Sequence, residues 1–306
     1  MSMSKIYNFM GFRKAATALS GLLLVISIAS LAINGLKFGL DFTGGSLVEI
    51  GYEQAPDLNQ IRDQLKQVGY NDAVVQTFGT PTDILIRLGQ DHDPKLGDKV
   101  LATLQEGQEQ SLELRRNEFV GAQVGEELRE QGGLGMLLAL FMIMVYVALR
   151  FQIKFSVGAV AALVHDVLIV LGFFSVLQVD FDLTVLAAVL AVIGYSLNDT
   201  IVVADRIREN FRIMRKGSPT EIMNTSLSQT LGRTLVTSLT TILVLVALFV
   251  FGGEMIHGFA TALLVGVLVG TYSSIYVAAN VMLMMGICKE DLMPPEEKEE
   301  TVDELP

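Results

Sequence analysis

The residue whose placement costs most in this 306-residue chain is an aspartate inside an apolar run. Leu183 to Val203 has roughly the twenty residues that a bilayer core requires, yet it carries Asn198 and Asp199. A carboxylate at that depth costs on the order of 3 kcal/mol, so it pairs, takes a proton or faces a polar interior. Aspartate is too short to snorkel well. Tyr195 and Ser196 share its helix face at i−4 and i−3. Asn198 is turned about 100° away, which leaves its part in the site open. The next apolar run offers partners, because Thr230, Arg233, Thr234, Thr237, Ser238 and Thr241 recur at spacings of three and four and draw a polar stripe. Consecutive spans run in opposite directions, so Asp199 and Arg233 fall at similar depths and could pair; snorkelling of Arg233 at a helix end is the alternative. His165 and Asp166, near the middle of another run, suit either a proton relay or a hydrogen-bonded pair that pins helices together.

These residues need six spans to position them. Hydrophobic residues make up 51% of the chain and its mean hydropathy is +0.49, which marks an integral membrane protein. Apolar runs cover Ala15 to Ile33, Leu134 to Leu149, Val157 to Leu177, Leu183 to Val203, Leu235 to Phe251 and Phe259 to Ile287. The first is too long for a signal-peptide core, so an uncleaved span is expected over a cleaved leader. Arg150 and Lys154 flank the second and third spans. Arg206, Arg208, Arg212, Arg215, Lys216 and Arg233 lie between the fourth and fifth, while the alternate loops, 178 to 182 and 252 to 258, hold no Lys or Arg. Both termini are therefore expected on the cytoplasmic side, with residues 37 to 131 outside. In the sixth span Ala262, Gly266, Gly270, Ser274 and Ala278 repeat every four residues, a ridge that lets another helix approach closely.

Four segments follow: 1–36, a cytoplasmic N-terminus and first helix; 37–131, a soluble domain; 132–288, helices two to six; and 289–306, a disordered acidic tail. The soluble segment reads βαββαβ. Ser46 to Tyr52 is a strand, Pro56-Asp57 opens a helix through Leu58, Ile61, Leu65 and Val68 that stops at Gly69, and Ala73 to Phe78 and Ile84 to Leu88 are strands about the turn 79–83. Pro94 introduces a second helix, and Phe119 to Val124 is the last strand. That order predicts a ferredoxin-like α+β unit inserted between helices one and two of an α-helical membrane protein.

The net charge of −11 comes mainly from that unit, with 17 acids against 9 bases, and from the tail, with 8 against 2. No basic face suggests nucleic acid. The lone Cys288 excludes an intrachain disulfide, and no metal-ligand spacing, phosphate-binding loop or nucleophile elbow occurs, so enzymatic ATP hydrolysis is not expected.

Several motifs together resemble the bacterial SecF family: Asp41-Phe42-Thr43-Gly44-Gly45 after the first span, Val120 to Leu128 before the second, His165-Asp166, and Ile193 to Asn210. Ala122 departs from the family, which often has proline there. The resemblance spans nearly the whole chain. It implies an inner-membrane subunit that works with a SecD-like six-span partner and the SecYEG channel on translocating preproteins, driven by the proton motive force. It needs no cofactor beyond the coupling proton. By kinship with RND transporters, Asp199 would load and release that proton opposite Arg233. An RND-like half-transporter of a small amphiphile and a non-energised scaffold are the competing readings.

Overall fold

The computed structural model describes residues 6–71, 73–89, 95–106, 110–214, 217–253 and 256–288. The acidic tail, Pro94, Arg215 and Lys216 lie outside these residues.

Six helical segments are long and apolar enough to cross a membrane. They are α1 (Arg13–Ile33), preceded by the 3₁₀ turn Phe9–Phe12; α5 (Ala122–Arg150); α6 (Ile153–Leu177); α7 (Leu183–Ile213); α8 (Pro219–Phe251); and α9 (His257–Ser273), continued by the π-helical turn Ser274–Ala278 and by α10 (Ala279–Met284). Helices α6, α7 and α9 form the inside of the bundle, while α1, α5 and α8 turn most of their surface outward. Small residues set this order. A methyl at Gly172 of α6 would lie 2.1 Å from Ser27 Oγ of α1, and one at Gly266 of α9 would lie 2.1 Å from Val192 of α7. Such approaches bring backbones together where lipid supplies no hydrophobic drive.

Helices α7 and α8 overrun the membrane. At 1.5 Å per residue the 31 residues of α7 extend about 46 Å, well beyond a core of about 30 Å. Arg206, Arg208 and Arg212, placed by sequence in a loop, therefore belong to the last turns of α7, where Arg208–Asp205 and Arg206–Glu209 pair at i,i+3. Ser218 and Glu221 form a capping box at the start of α8, with Pro219 in its first turn.

The inserted domain holds β1 (Gly45–Gly51), α3 (Leu58–Gln67), β2 (Val74–Phe78), β3 (Thr80–Leu88), α4 (Leu96–Gln105) and β4 (Glu113–Val120) in an antiparallel sheet of order β2-β3-β1-β4. This is the ferredoxin-like arrangement. Ile61, Leu65, Val100 and Leu104 of the helices bury against Val48, Ile50, Ile84 and Ile86. The opposite face meets the short helix α2 (Leu40–Thr43) through Leu40, Leu47 and Leu85.

Four expectations are corrected. The turn between β2 and β3 contracts to Gly79 at φ +73°, because Phe78 already pairs with Thr80. The last strand is Glu113–Val120 rather than Phe119 to Val124. Its charged residues suit an edge strand and hid it from an apolar pattern. Val68, expected on the apolar face of α3, is 52% exposed. Finally, α5 begins at Ala122, so the division at 131/132 falls inside one continuous helix that leaves the sheet and enters the membrane.

Candidate functional site

Asp199 stands half-buried on α7, between α8 and α9. Thr234 Oγ1 of α8 donates to its Oδ1 at 2.7 Å, and Ser274 Oγ donates to its Oδ2 at 2.5 Å. One turn toward the domain, Tyr195 donates to Ser238 Oγ at 3.3 Å, and Ser238 shares a 2.6 Å hydrogen bond with Thr271. Among the described residues neutral hydroxyls, and no cation, thus hold the carboxylate. Ser274 opens the π-helical turn, a distortion that widens the helix where it meets Asp199.

A second polar cluster lies deeper. Asp166 is wholly buried and His165 is 3% exposed. His165 Nδ1 and Asp166 Oδ1 are 2.8 Å apart, Ser196 Oγ donates to Asp166 Oδ2, and Ser273 Oγ donates to the same oxygen at 2.7 Å. His165 Nε2 is 3.2 Å from Ser20 Oγ of α1. Ser20 hydrogen-bonds Tyr272, whose hydroxyl donates to the Ala16 carbonyl. Four helices meet here, and Ser196 stands one turn before Asp199 on the same face of α7.

The pairing of Asp199 with Arg233 is not formed. Arg233 is exposed, forms no ion pair among the described residues, and opens onto a cavity of about 400 Å³ with Arg150, Asp205, Arg206, Glu209 and Thr230. Its neighbour Thr234 takes the place expected of it, since residues 100° apart on a helix cannot both face α7. Asn198 is exposed and makes no hydrogen bond to the site, for the same reason. The polar stripe divides. Thr234 and Ser238 face inward, buried Thr230 turns back to the Ser226 carbonyl, and Thr237 and Thr241 bond to carbonyls of their own helix at i−4. Gly266 and Gly270 lie against Val192 and Ser196, close enough that side chains there would collide or crowd. Ser20, Thr271, Tyr272 and Ser273 join the two clusters without a sequence signal of their own. Ser274, read as a packing residue, binds the carboxylate.

The segment Asp41 to Gly45 ties the domain to α7. Asp41 Oδ2 accepts from the Leu183 amide at 3.0 Å, while Asp182 caps the helix through the Val185 amide at 2.8 Å. Phe42 stacks on Phe181 at 6.1 Å, and Thr43 donates to the Gly39 carbonyl. Gly44 (φ +69°) and Gly45 (φ +121°) adopt backbone that favours glycine; a side chain would meet Ala122 at 2.6 Å and the Leu88 carbonyl at 2.7 Å. Beside them Asp180 pairs with Lys37 (2.9 Å) and with Arg87 of β3 (2.7 Å). Burial alone would raise the Asp180 carboxyl, but hydrogen bonds and charge from Lys37 and Arg87 outweigh it and lower its pKa.

Two family models match the chain: "Protein export membrane protein SecD/SecF, C-terminal" over residues 100–287 and "SecD/SecF GG Motif" over residues 29–56. Proteins named Protein translocase subunit SecF are similar over almost their whole length. The one from Pseudomonas aeruginosa is 55% identical over 300 residues (98% of this chain, 97% of the relative), and that from Vibrio alginolyticus is 52% identical over 307 (99% and 98%). The crystal structure of SecDF, a translocon-associated membrane protein from Thermus thermophilus, superposes with a TM-score of 0.84 at 35% identity, covering 93% of this chain but only 39% of that longer one. SecDF in its super-membrane-facing form gives 0.69 at 37% identity, covering 92% and 39%. Matched by its family's model over more than half its length and by full-length relatives, the chain belongs to the SecD/SecF family of protein-export membrane proteins, as a translocase subunit of the SecF kind.

Proposed function

We propose that this subunit joins a SecD-like six-span partner in the bacterial inner membrane and uses the proton motive force to assist late translocation of preproteins through SecYEG. Both termini are cytoplasmic and the inserted domain is periplasmic. The observation that carries the reading is Asp199, a carboxylate in a membrane helix held by two hydroxyls and, among the described residues, by no cation. Such a group is stable when it carries a proton, and once ionised it recruits a cation. This reading assigns that cation to Arg233, exposed one residue before Thr234 and in no ion pair among the described residues. Protonation then releases Arg233, and deprotonation draws it in. One charge moved through about 100 mV is worth roughly 2.3 kcal/mol, enough to bias two conformations about fifty-fold.

The outward faces of Asn198 and Arg233 are where the partner's half of the bundle sits, as the longer SecDF chain suggests. Through the Asp41–Leu183 hydrogen bond, a shift of α7 pulls on the periplasmic domain, which handles the emerging preprotein. Replacement Asp199→Asn keeps the side chain's shape but removes the proton site. Export continued after ATP exhaustion should lose its dependence on the proton gradient. Unchanged dependence removes Asp199 from the mechanism and leaves a scaffold role.

A further inference from the structure

Asp166 is the more deeply buried of the two carboxylates, and its surroundings accept more than one protonation state. Around His165 the hydroxyls form a directional chain. With a proton on Nε2, the ring donates to Ser20, Ser20 donates to Tyr272, and Tyr272 donates to the Ala16 carbonyl. Without that proton, Ser20 turns and donates to Nε2, and Tyr272 turns from the Ala16 carbonyl to donate to Ser20. On the other side Ser273 Oγ reaches both Asp166 Oδ2 (2.7 Å) and the Gly270 carbonyl (3.1 Å), so it keeps an acceptor whether or not the carboxylate is charged. Ser274 has the same choice between Asp199 Oδ2 (2.5 Å) and the Thr271 carbonyl (3.1 Å). Either protonation state therefore leaves these groups satisfied, which a purely structural pin does not require. The titratable groups facing the cluster are His165 itself, Tyr272 of α9 with its ring 6.2 Å from the imidazole, and Asp199 one turn along α7. α1 presents Ser20, and no Lys or Arg among the described residues forms an ion pair with Asp166.

We propose that the His165–Asp166 dyad is a second proton-binding site, linked to Asp199 by the consecutive hydroxyls of Ser273 and Ser274. The two serines sit at the junction of α9 and the π-helical turn, so a rotation of that turn moves both hydroxyls at once. The step is a proton transfer alone: one proton from water binds the dyad, raises its charge by one, and leaves again. The linkage rests on the reading of Asp199 as a proton site; the existence of the second site does not.

The test is a pH titration of the full-length chain in lipid nanodiscs by infrared difference spectroscopy, with isotope-labelled aspartate and histidine. The wild type should show a dyad component and an Asp199 component. His165→Asn or Asp166→Asn should remove the first, and Asp199→Asn the second. Ser273→Ala, which keeps both acids, should move the Asp199 midpoint by about half a pH unit, a threefold change in proton affinity. A dyad that stays in one protonation state throughout, with Asp199 titrating as before in Asp166→Asn, overturns the second site. An Asp199 midpoint unmoved by Ser273→Ala overturns the linkage. Should Asp199 not titrate while the dyad does, the proposed function fails and the dyad stands. If Asp166→Asn fails to insert, His165→Asn and Ser273→Ala decide the matter.

Discussion

Replacing Gly266 by alanine tests whether the contact between α7 and α9 is as close as described. The added Cβ would lie 2.1 Å from Val192 Cγ2, 2.7 Å from Cγ1 and 2.9 Å from Cβ. Ordinary carbon contacts are about 3.5–4.0 Å. Rotating Val192 cannot clear the overlap, because both γ-carbons and the β-carbon are already too near and a β-branched side chain in a helix has one preferred rotamer. The helices must separate by an ångström or more. Overpacking of this kind costs about 3 kcal/mol, against which alanine regains about 1 kcal/mol of helix propensity, for a net loss of about 2 kcal/mol. Two controls bracket it. At Gly270 the new Cβ would stand 3.1 Å from Ser196 Cβ, a strain that a small shift relieves, while at Gly194 nothing lies within 4 Å, so Gly194→Ala should stabilise by up to about 1 kcal/mol. Thermal unfolding in one detergent should rank Gly194→Ala above wild type, Gly270→Ala near it and Gly266→Ala below. Separation of α7 from α9 would also lengthen Ser274–Asp199, so Gly266→Ala should lose proton-driven export beyond its loss of stability. A Gly266→Ala protein as stable as Gly194→Ala would refute the close packing and the geometry of Asp199 built on it.

Three further outcomes follow from the same packing and charge. Thr234→Val keeps the shape of the side chain but removes a hydrogen bond to a carboxylate worth about 1.5–3 kcal/mol when charged; the pH midpoint of export should rise, and an unmoved midpoint would count against Asp199 as the coupling group. Gly44→Ala should destabilise the joint between domain and membrane by about 2–4 kcal/mol, combining backbone strain with a clash at Ala122. Gly69→Ala, with positive φ but open space, should cost only the strain, about 1–2 kcal/mol, in a comparison by limited proteolysis. Because the folded-state pKa of Asp180 is lowered, its stabilisation is fully present above the ordinary value of 3.8 and lost as pH falls through the folded value. Asp180→Asn at neutral pH should therefore raise hydrogen exchange at Lys37–Leu40 by about fivefold, the change that about 1 kcal/mol allows, and acidification should do the same once the slower intrinsic exchange at low pH is divided out; equal exchange would dismiss the tether.

The membrane character, the six spans and the order βαββαβ follow from local pattern. Apolar runs of span length and strand–helix periodicity depend on neighbours in sequence, so composition and spacing reveal them. Asp199 and the His165–Asp166 pair were also legible there, since an ionisable group in an apolar run stands out wherever it packs. Less was legible at edges. The strand Glu113–Val120 carries alternating charges that look like loop, and the unbroken helix from Ala122 hid the division between domain and membrane. Which side chains meet was decided by tertiary structure alone. The periodicity of α8 offered six polar residues, and only the rotation of α8 about its axis put Thr234, not Arg233, on Asp199. Serines of α9 that looked like packing residues became hydrogen-bond donors because the π-helical turn re-aims Ser273 and Ser274 at two different carboxylates. Hydroxyls are common and locally satisfied in membrane helices, so nothing in their spacing marks the few that reach across. The sequence by itself determined where charge must be buried; helix rotation and the width of one turn decided what that charge touches.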